Sequence, residues 1–190
     1  MLQQLNDLDR ELFLYLNNLG SSSWDPFWLL VTDKWTAIPL YALLLYLIFK
    51  KFGLKGMLIT AVLVAVLITV TDQLANVFKH AFERPRPCRQ EGVMEFSRYI
   101  AERCGRFGYF SAHASNSAGV AIFLGVIFRR YFSKLIWFLL LWALVVSYSR
   151  IYLGVHYPGD ILTGMFIGAG LGYLVALLHP YLLKRFRVPV

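Results

Sequence analysis

The chain has 190 residues, 58% of them hydrophobic and only 16% charged, with a mean hydropathy of +0.56. Soluble domains carry about a quarter charged residues, so the composition excludes an ordinary globular domain and predicts an integral membrane protein. The net charge of +8 does not point to nucleic acid: the Lys and Arg residues sit in short clusters between apolar runs, where membrane topology and anionic headgroups account for them.

Residues 2–19 place Leu5, Leu8, Leu12, Tyr15, Leu16 and Leu19 at helical spacing. This predicts an amphipathic helix lying at the interface or packed on a bundle. Met1 to Arg10 is polar rather than basic then apolar, so no cleavable signal is expected and the first true span should direct insertion. Transmembrane spans are predicted at 26–49, 56–80, 112–128, 134–148 and 158–178. Trp24, Trp28 and Trp35 form an interfacial belt at the first, which Asp33 and Lys34 interrupt early. The second carries Asp72, Gln73, Asn76 and Lys79 in its later half. The last has Gly164, Gly168 and Gly172 at four-residue spacing, a pattern that permits close helix contact in a membrane. Between the second and third spans lies a polar loop, 81–110, where Arg84-Pro85-Arg86-Pro87 forbids helix and forces an extended path. The expected fold is an all-α bundle of about six helices, the N-terminal one plus five spans, in one membrane-embedded domain over 1–190.

Counting crossings brings Lys79, the 81–110 loop, His113, Arg150 and His156 to one side. The other side holds Lys50, Lys51, Lys55, Arg129, Arg130, Lys134, Lys184, Arg185 and Arg187 in short turns, which predicts that side to be cytoplasmic. Small size and few loops suggest a bacterial inner-membrane protein with its polar face toward the periplasm.

The polar residues on that face have a chemistry. His156 and Asp160 are four apart, one turn from each other on a helix that Pro158 and Gly159 are suited to open. A carboxylate there can hold one imidazole nitrogen and leave the other free to attack. Lys79, Arg86 and Arg150 supply fixed positive charge. Ser111 and the N–H groups that open the third span, from Ala112 on, supply donors. A phosphoryl transition state needs this combination, since its charge is spread over equatorial oxygens. His156 can attack in line, and His113 can protonate the departing oxygen and then activate water. Glu83, Glu91, Glu95 and Glu102 are too scattered for a Mg²⁺ site, so no metal or other cofactor is expected.

Lys79-x6-Arg86-Pro87, Ser111-x-His113 and Ser149-Arg150-x5-His156-x3-Asp160 together resemble the three-part signature of the type 2 phosphatidic acid phosphatase superfamily. The resemblance covers roughly residues 79–160. It implies a six-helix bundle, a phosphohistidine on His156, Asp160 as its orienting group, and His113 as acid and base. It also implies Lys79, Arg86, Ser111 and Arg150 around the phosphate. The usual Pro-Ser-Gly-His reads Phe110-Ser111-Ala112-His113 here, which bears on substrate preference. The expected partner is a lipid phosphate or pyrophosphate among membrane lipids: undecaprenyl pyrophosphate, phosphatidylglycerophosphate, phosphatidic acid or a lipid A phosphate. No nucleic acid and no obligate protein partner are expected. A phosphotransferase of the same fold and a non-enzymatic headgroup binder are the competing classes.

The remaining polar residues have plainer readings. His80 and His179 read as interfacial, and Arg84, Arg89, Arg98, Arg103 and Arg106 as solvated loop or headgroup contacts. Asp72 pairs with a base or faces a wet cavity. Cys88 and Cys104 are either two unrelated loop thiols or a disulfide pinning the loop.

Overall fold

A computed structural model of the chain describes residues 2–33 and 35–188. Lys34, which the sequence places inside the first span, lies outside the described residues, as do Met1, Pro189 and Val190. Six α-helices follow in order: α1 (Leu2–Asn18), α2 (Asp25–Thr32), α3 (Ile38–Phe82), α4 (Ala112–Phe128), α5 (Leu135–Tyr152) and α6 (Pro158–Arg185). Among the described residues there is no strand, only an isolated bridge between Pro85 and Phe107. Helices α3, α5 and α6 are long and apolar enough to cross a membrane. The 17-residue α4 is also apolar and measures about 26 Å at 1.5 Å per residue.

Helix α3 is one element only in name. Gly53 leaves helical geometry at φ 65° and ψ −178°, a conformation that favours a residue without Cβ. Tyr41, Leu44 and Ile48 before it and Ala61, Val64 and Ile68 after it line one apolar cavity, so the two arms run side by side as a hairpin. The predicted second span thus begins at the Gly53 turn and extends to Phe82. The predicted span 26–49 requires correction. Asp33 is extended at φ −72° and ψ 129°, its Oδ1 accepts a hydrogen bond from the Trp35 N–H at 3.0 Å, and α3 opens with proline in its first turn. A side chain that captures the next backbone donors ends a helix, and the stretch splits into α2 and the first arm of α3. Two further boundaries move outward: α5 runs four residues past 148, and α6 continues through Pro180 to Arg185.

Helix α4 is the axis of the bundle. Eleven of its residues are buried, from Ala114 to Phe128, and Leu63, Leu67, Phe123, Leu124, Phe128, Leu139 and Ala176 join α3, α4, α5 and α6 in one core. Glycine stripes set the α4–α6 distance: a Cβ on Gly164, Gly168 or Gly172 would fall 2.6, 2.0 or 2.2 Å from the carbonyl oxygens of Ser111, Ser115 and Gly119. Large apolar side chains at helical spacing point outward, among them Leu58, Val62 and Val66 on α3 and Leu162, Phe166 and Tyr173 on α6. That is the surface a hydrocarbon solvent requires.

His179 corrects the reading as an interfacial residue. It is 2% exposed, its Nε2 lies 2.9 Å from Thr60 Oγ1, and it packs edge-on against Phe52 and Phe123. Helix α1 packs on the bundle through the face of Phe13 and Asn17, with Leu16 of the predicted stripe partly buried beside it. Phe13 and Asn17 are fully buried while Leu5, Leu8, Leu12, Tyr15 and Leu19 face out. Asn17 Nδ2 donates to the carbonyls of Arg98, Ile151 and Tyr152 at 2.9–3.0 Å, and its Oδ1 accepts from Arg98 N at 2.7 Å.

Candidate active site

At the end of the bundle away from the Gly53 turn, a cavity of about 310 Å³ is lined by Asp72, Asn76, Lys79, Arg86, Ala112, His113, Arg150 and His156. Three helices and two connections supply it. Lys79 comes from the end of α3, Arg86 from the loop, Ala112 and His113 from the first turn of α4, Arg150 from the last turn of α5, and His156 from the α5–α6 connection.

His156 is 2% exposed. Its Nδ1 lies 3.3 Å from Asp160 Oδ2, an oxygen that also accepts the Tyr157 N–H at 3.1 Å. With Nδ1 held there, Nε2 is the nitrogen left for the cavity. Burial pushes the imidazole down to about 4, although the Asp160 carboxylate pulls the other way. The ring is therefore neutral, and nucleophilic, at physiological pH.

Arg150 holds one end of its guanidinium on Thr32 Oγ1, while its Nε is buried without a protein partner. A buried charged donor in that state is costly unless an anion takes it up. Arg86 is aimed inward by its surroundings. Its Nε donates to the Phe107 carbonyl at 3.0 Å, and Gly105 and Gly108 give it room, since a Cβ on either would lie 3.2 Å from its side chain. Burial lowers its proton affinity. The loop that carries it is closed by a disulfide between Cys88 and Cys104, so of the two readings open from sequence the paired one holds. An Ellman titration of the denatured, unreduced protein is expected to find no free thiol.

Asp72 lines the cavity floor and accepts from Asn116 Nδ2 at 2.9 Å. Ser111 lies behind the lining. It is fully buried and caps α4 by accepting the Ala114 N–H at 3.4 Å, while its own N–H donates to the Asp160 carbonyl at 3.1 Å. The cap bond uses a lone pair of the hydroxyl and leaves its O–H to donate, while Ala112 lines the cavity. Among the described residues no three His, Cys, Asp or Glu side chains gather as a metal-binding group.

Two loop arginines read as solvated are in fact structural centres. Arg98 donates to both Asp25 oxygens at 2.9 Å and lies over the Tyr152 ring, so it fastens the loop to α2 and α5. Arg84 Nη1 donates to Asp160 Oδ1 at 2.8 Å, and its Nη2 to Asp9 Oδ2 at 2.6 Å. Burial alone would lower its proton affinity, yet Asp160 and Asp9 hold it above the usual range. Asp9 and Arg84 were missed because each looks like a surface charge from its own neighbours. The only local signal was that Arg84 precedes a proline step already assigned to the site.

The family model of the PAP2 superfamily matches residues 54–184. The chain belongs to the PAP2 superfamily. It is 41% identical over 177 residues to a lipid A 4'-phosphatase of Bacteroides thetaiotaomicron, covering 92% of this chain and 78% of that one. It is 35% identical over 190 residues to a lipid A 4'-phosphatase of Porphyromonas gingivalis, covering 97% of this chain and 78% of the relative. Among solved structures it resembles the transmembrane PAP2 type phosphatidylglycerolphosphate phosphatase from Bacillus subtilis. That likeness has a TM-score of 0.71 at 21% identity over 90% of this chain and 84% of that one, and it shows the shared fold. The PAP2 assignment agrees with the helical membrane architecture described above.

Proposed function

We propose that this membrane lipid phosphatase removes a phosphate from a lipid A-type glycolipid through a phosphohistidine on His156. One observation carries the reading: the buried His156–Asp160 pair faces a cavity that also holds Lys79, Arg86, Arg150 and His113. A phosphate monoester there has its oxygens held by the three cations and by the N–H groups at the start of α4. His156 Nε2 forms a bond to phosphorus as the ester P–O bond breaks, and His113 delivers a proton to the departing lipid oxygen. The phosphate's own negative charge offsets the surrounding cations and lets His113 hold that proton. Water then attacks phosphorus, His113 takes its proton, and inorganic phosphate leaves a neutral His156.

The lipid A assignment is supported by the names of the two relatives, which align with nearly the whole chain. The six helices act as one catalytic unit, since each places a residue at the site or behind it, α2 through Thr32 on Arg150. The site faces the periplasm across the bacterial inner membrane. The short basic turns around Lys50, Arg129 and Lys184 lie at the opposite end, and the disulfide suits an oxidising compartment.

The test is phosphate release by detergent-purified protein in EDTA. Its panel is bisphosphorylated lipid A, phosphatidylglycerophosphate, phosphatidic acid and undecaprenyl pyrophosphate, each beside His156→Ala. Release is expected from lipid A at its 4' position, with EDTA without effect and the variant inactive. A preference for another lipid overturns the substrate. Loss in EDTA overturns the metal-free mechanism, and activity surviving His156→Ala overturns the nucleophile.

A further inference from the structure

We propose that Asp9 and Arg84, neither of which belongs to the three-part signature, are positioning residues for the reaction. With Asp160 they form a chain of alternating charge that runs from α1 to His156 and sets the orientation and proton affinity of its imidazole. This rests on His156 being the nucleophile.

The chain is continuous in space: Asp9 Oδ2 to Arg84 Nη2 at 2.6 Å, Arg84 Nη1 to Asp160 Oδ1 at 2.8 Å, and Asp160 Oδ2 to His156 Nδ1 at 3.3 Å. Each link is held from a second direction. The free oxygen of Asp9 accepts the Gly159 N–H at 2.7 Å, in the first turn of α6 and next to Asp160. The Arg84 guanidinium lies 4.2 Å over the Tyr157 ring, and its carbonyl accepts the Gly108 N–H at 2.9 Å. The backbone is shaped around these groups, since a Cβ on Gly159 would meet Asp9 Oδ2 at 2.7 Å and one on Gly108 would meet Asp160 Oδ2 at 3.1 Å. An arginine forked between two carboxylates, with little solvent access, holds geometry that a lone carboxylate one helical turn from His156 does not.

The charges also matter individually, because little water screens them. The cavity that His156 lines also holds Arg86 from the loop, Lys79 and Asp72 from α3, His113 from α4 and Arg150 from α5, while Asp160 of α6 holds its ring, with Arg84 and then Asp9 behind Asp160. Asp25, the one charged residue of α2, is spent on Arg98. Arg84 thus neutralises part of the Asp160 charge that favours imidazolium, and Asp9 neutralises part of Arg84. Removing Arg84 should make His156 easier to protonate, and removing the Asp9 charge should make it harder. A role confined to folding predicts no such opposition.

The experiment compares kcat, KM and the acidic limb of kcat/KM on one substrate for the wild type, Arg84→Gln, Arg84→Lys, Asp9→Asn and, as a paired-charge control, Asp25→Asn. Arg84→Gln is expected to lower kcat roughly 10- to 100-fold with KM changed less than about twofold, and to move the limb up by about one pH unit. Asp9→Asn should move it down, and Arg84→Lys should recover the limb and part of kcat. Asp25→Asn should leave the limb in place. Should Arg84→Gln fail to fold, the Asp9→Asn and Arg84→Lys profiles decide. Limbs that stay put or shift in the same direction in both charge-removing variants overturn the proposal. A His156→Ala protein that still turns over overturns instead the reading on which it rests.

Discussion

Asp160→Asn is expected to fold and to lose about 10³- to 10⁴-fold in kcat, the scale seen when an orienting carboxylate becomes an amide. Asp160 accepts hydrogen bonds from Arg84 Nη1, His156 Nδ1 and the Tyr157 N–H, and it is fully buried. An asparagine has one acceptor oxygen and one NH₂ group for those three donors. Arg84 is a fixed cation, so it draws the amide oxygen and turns the NH₂ toward His156. An N–H donated to Nδ1 forces the imidazole proton onto Nε2, the nitrogen proposed above to attack. Asp9 still holds Arg84, which is why the fold should survive. Steady-state turnover together with a monodisperse size-exclusion profile checks this. Turnover within threefold of the wild type would remove Asp160 from its orienting role.

Gly168→Ala should lower turnover about 100-fold, because roughly an ångström of misplacement is enough for that, and destabilise the protein by about 1–3 kcal/mol. The new Cβ would lie 2.0 Å from the Ser115 carbonyl oxygen and 2.7 Å from its carbon. Those are backbone atoms of a helix, so the relief available is for α4 and α6 to move apart. His113 stands in the first turn of α4 and His156 just before α6, so that movement opens the gap across which the phosphoryl group must be held. Gly170 provides the comparison, since a Cβ there meets nothing within 4 Å. Gly170→Ala should keep turnover within about twofold and should not lose stability, given the higher helical preference of alanine. Thermal unfolding in detergent beside a phosphate-release assay separates the two variants, and equal losses in both would contradict the packing argument.

What was legible from sequence was what depends on local order. Helix α4 begins and ends where predicted, at 112 and 128, because Ser111 caps it and the apolar run from Ala118 continues to Phe128, before Arg129 and Arg130. The residues of the three clusters converge because helix crossings return each one to the same end of the bundle. The glycine stripe was legible as close packing for the same periodic reason. Partnership across long sequence distances was not. Arg84 and Asp9 are 75 positions apart, and Arg98 and Asp25 are 73 apart. A charge on an amphipathic helix or in a polar loop has the same neighbours in sequence whether it meets water or a buried carboxylate. His179 was misread because hydropathy does not reveal Thr60 on a neighbouring helix.

Asn17 gives the first helix a consequence for how much chain makes a working enzyme. The final carbonyls of any helix have no partner within it, and at the end of α5, the one that delivers Arg150, the carbonyls of Ile151 and Tyr152 are met by the Asn17 amide. A fragment trimmed to the family-matched stretch 54–184 would carry every signature residue. It would leave the Tyr152 carbonyl bare, since the Gly154 N–H meets only that of Ile151, with the loop unfastened at Arg98 and Arg84 short of one carboxylate. The transferable unit is therefore larger than its recognisable motif, and grafts or minimal versions need α1 and α2 along with the conserved-looking core.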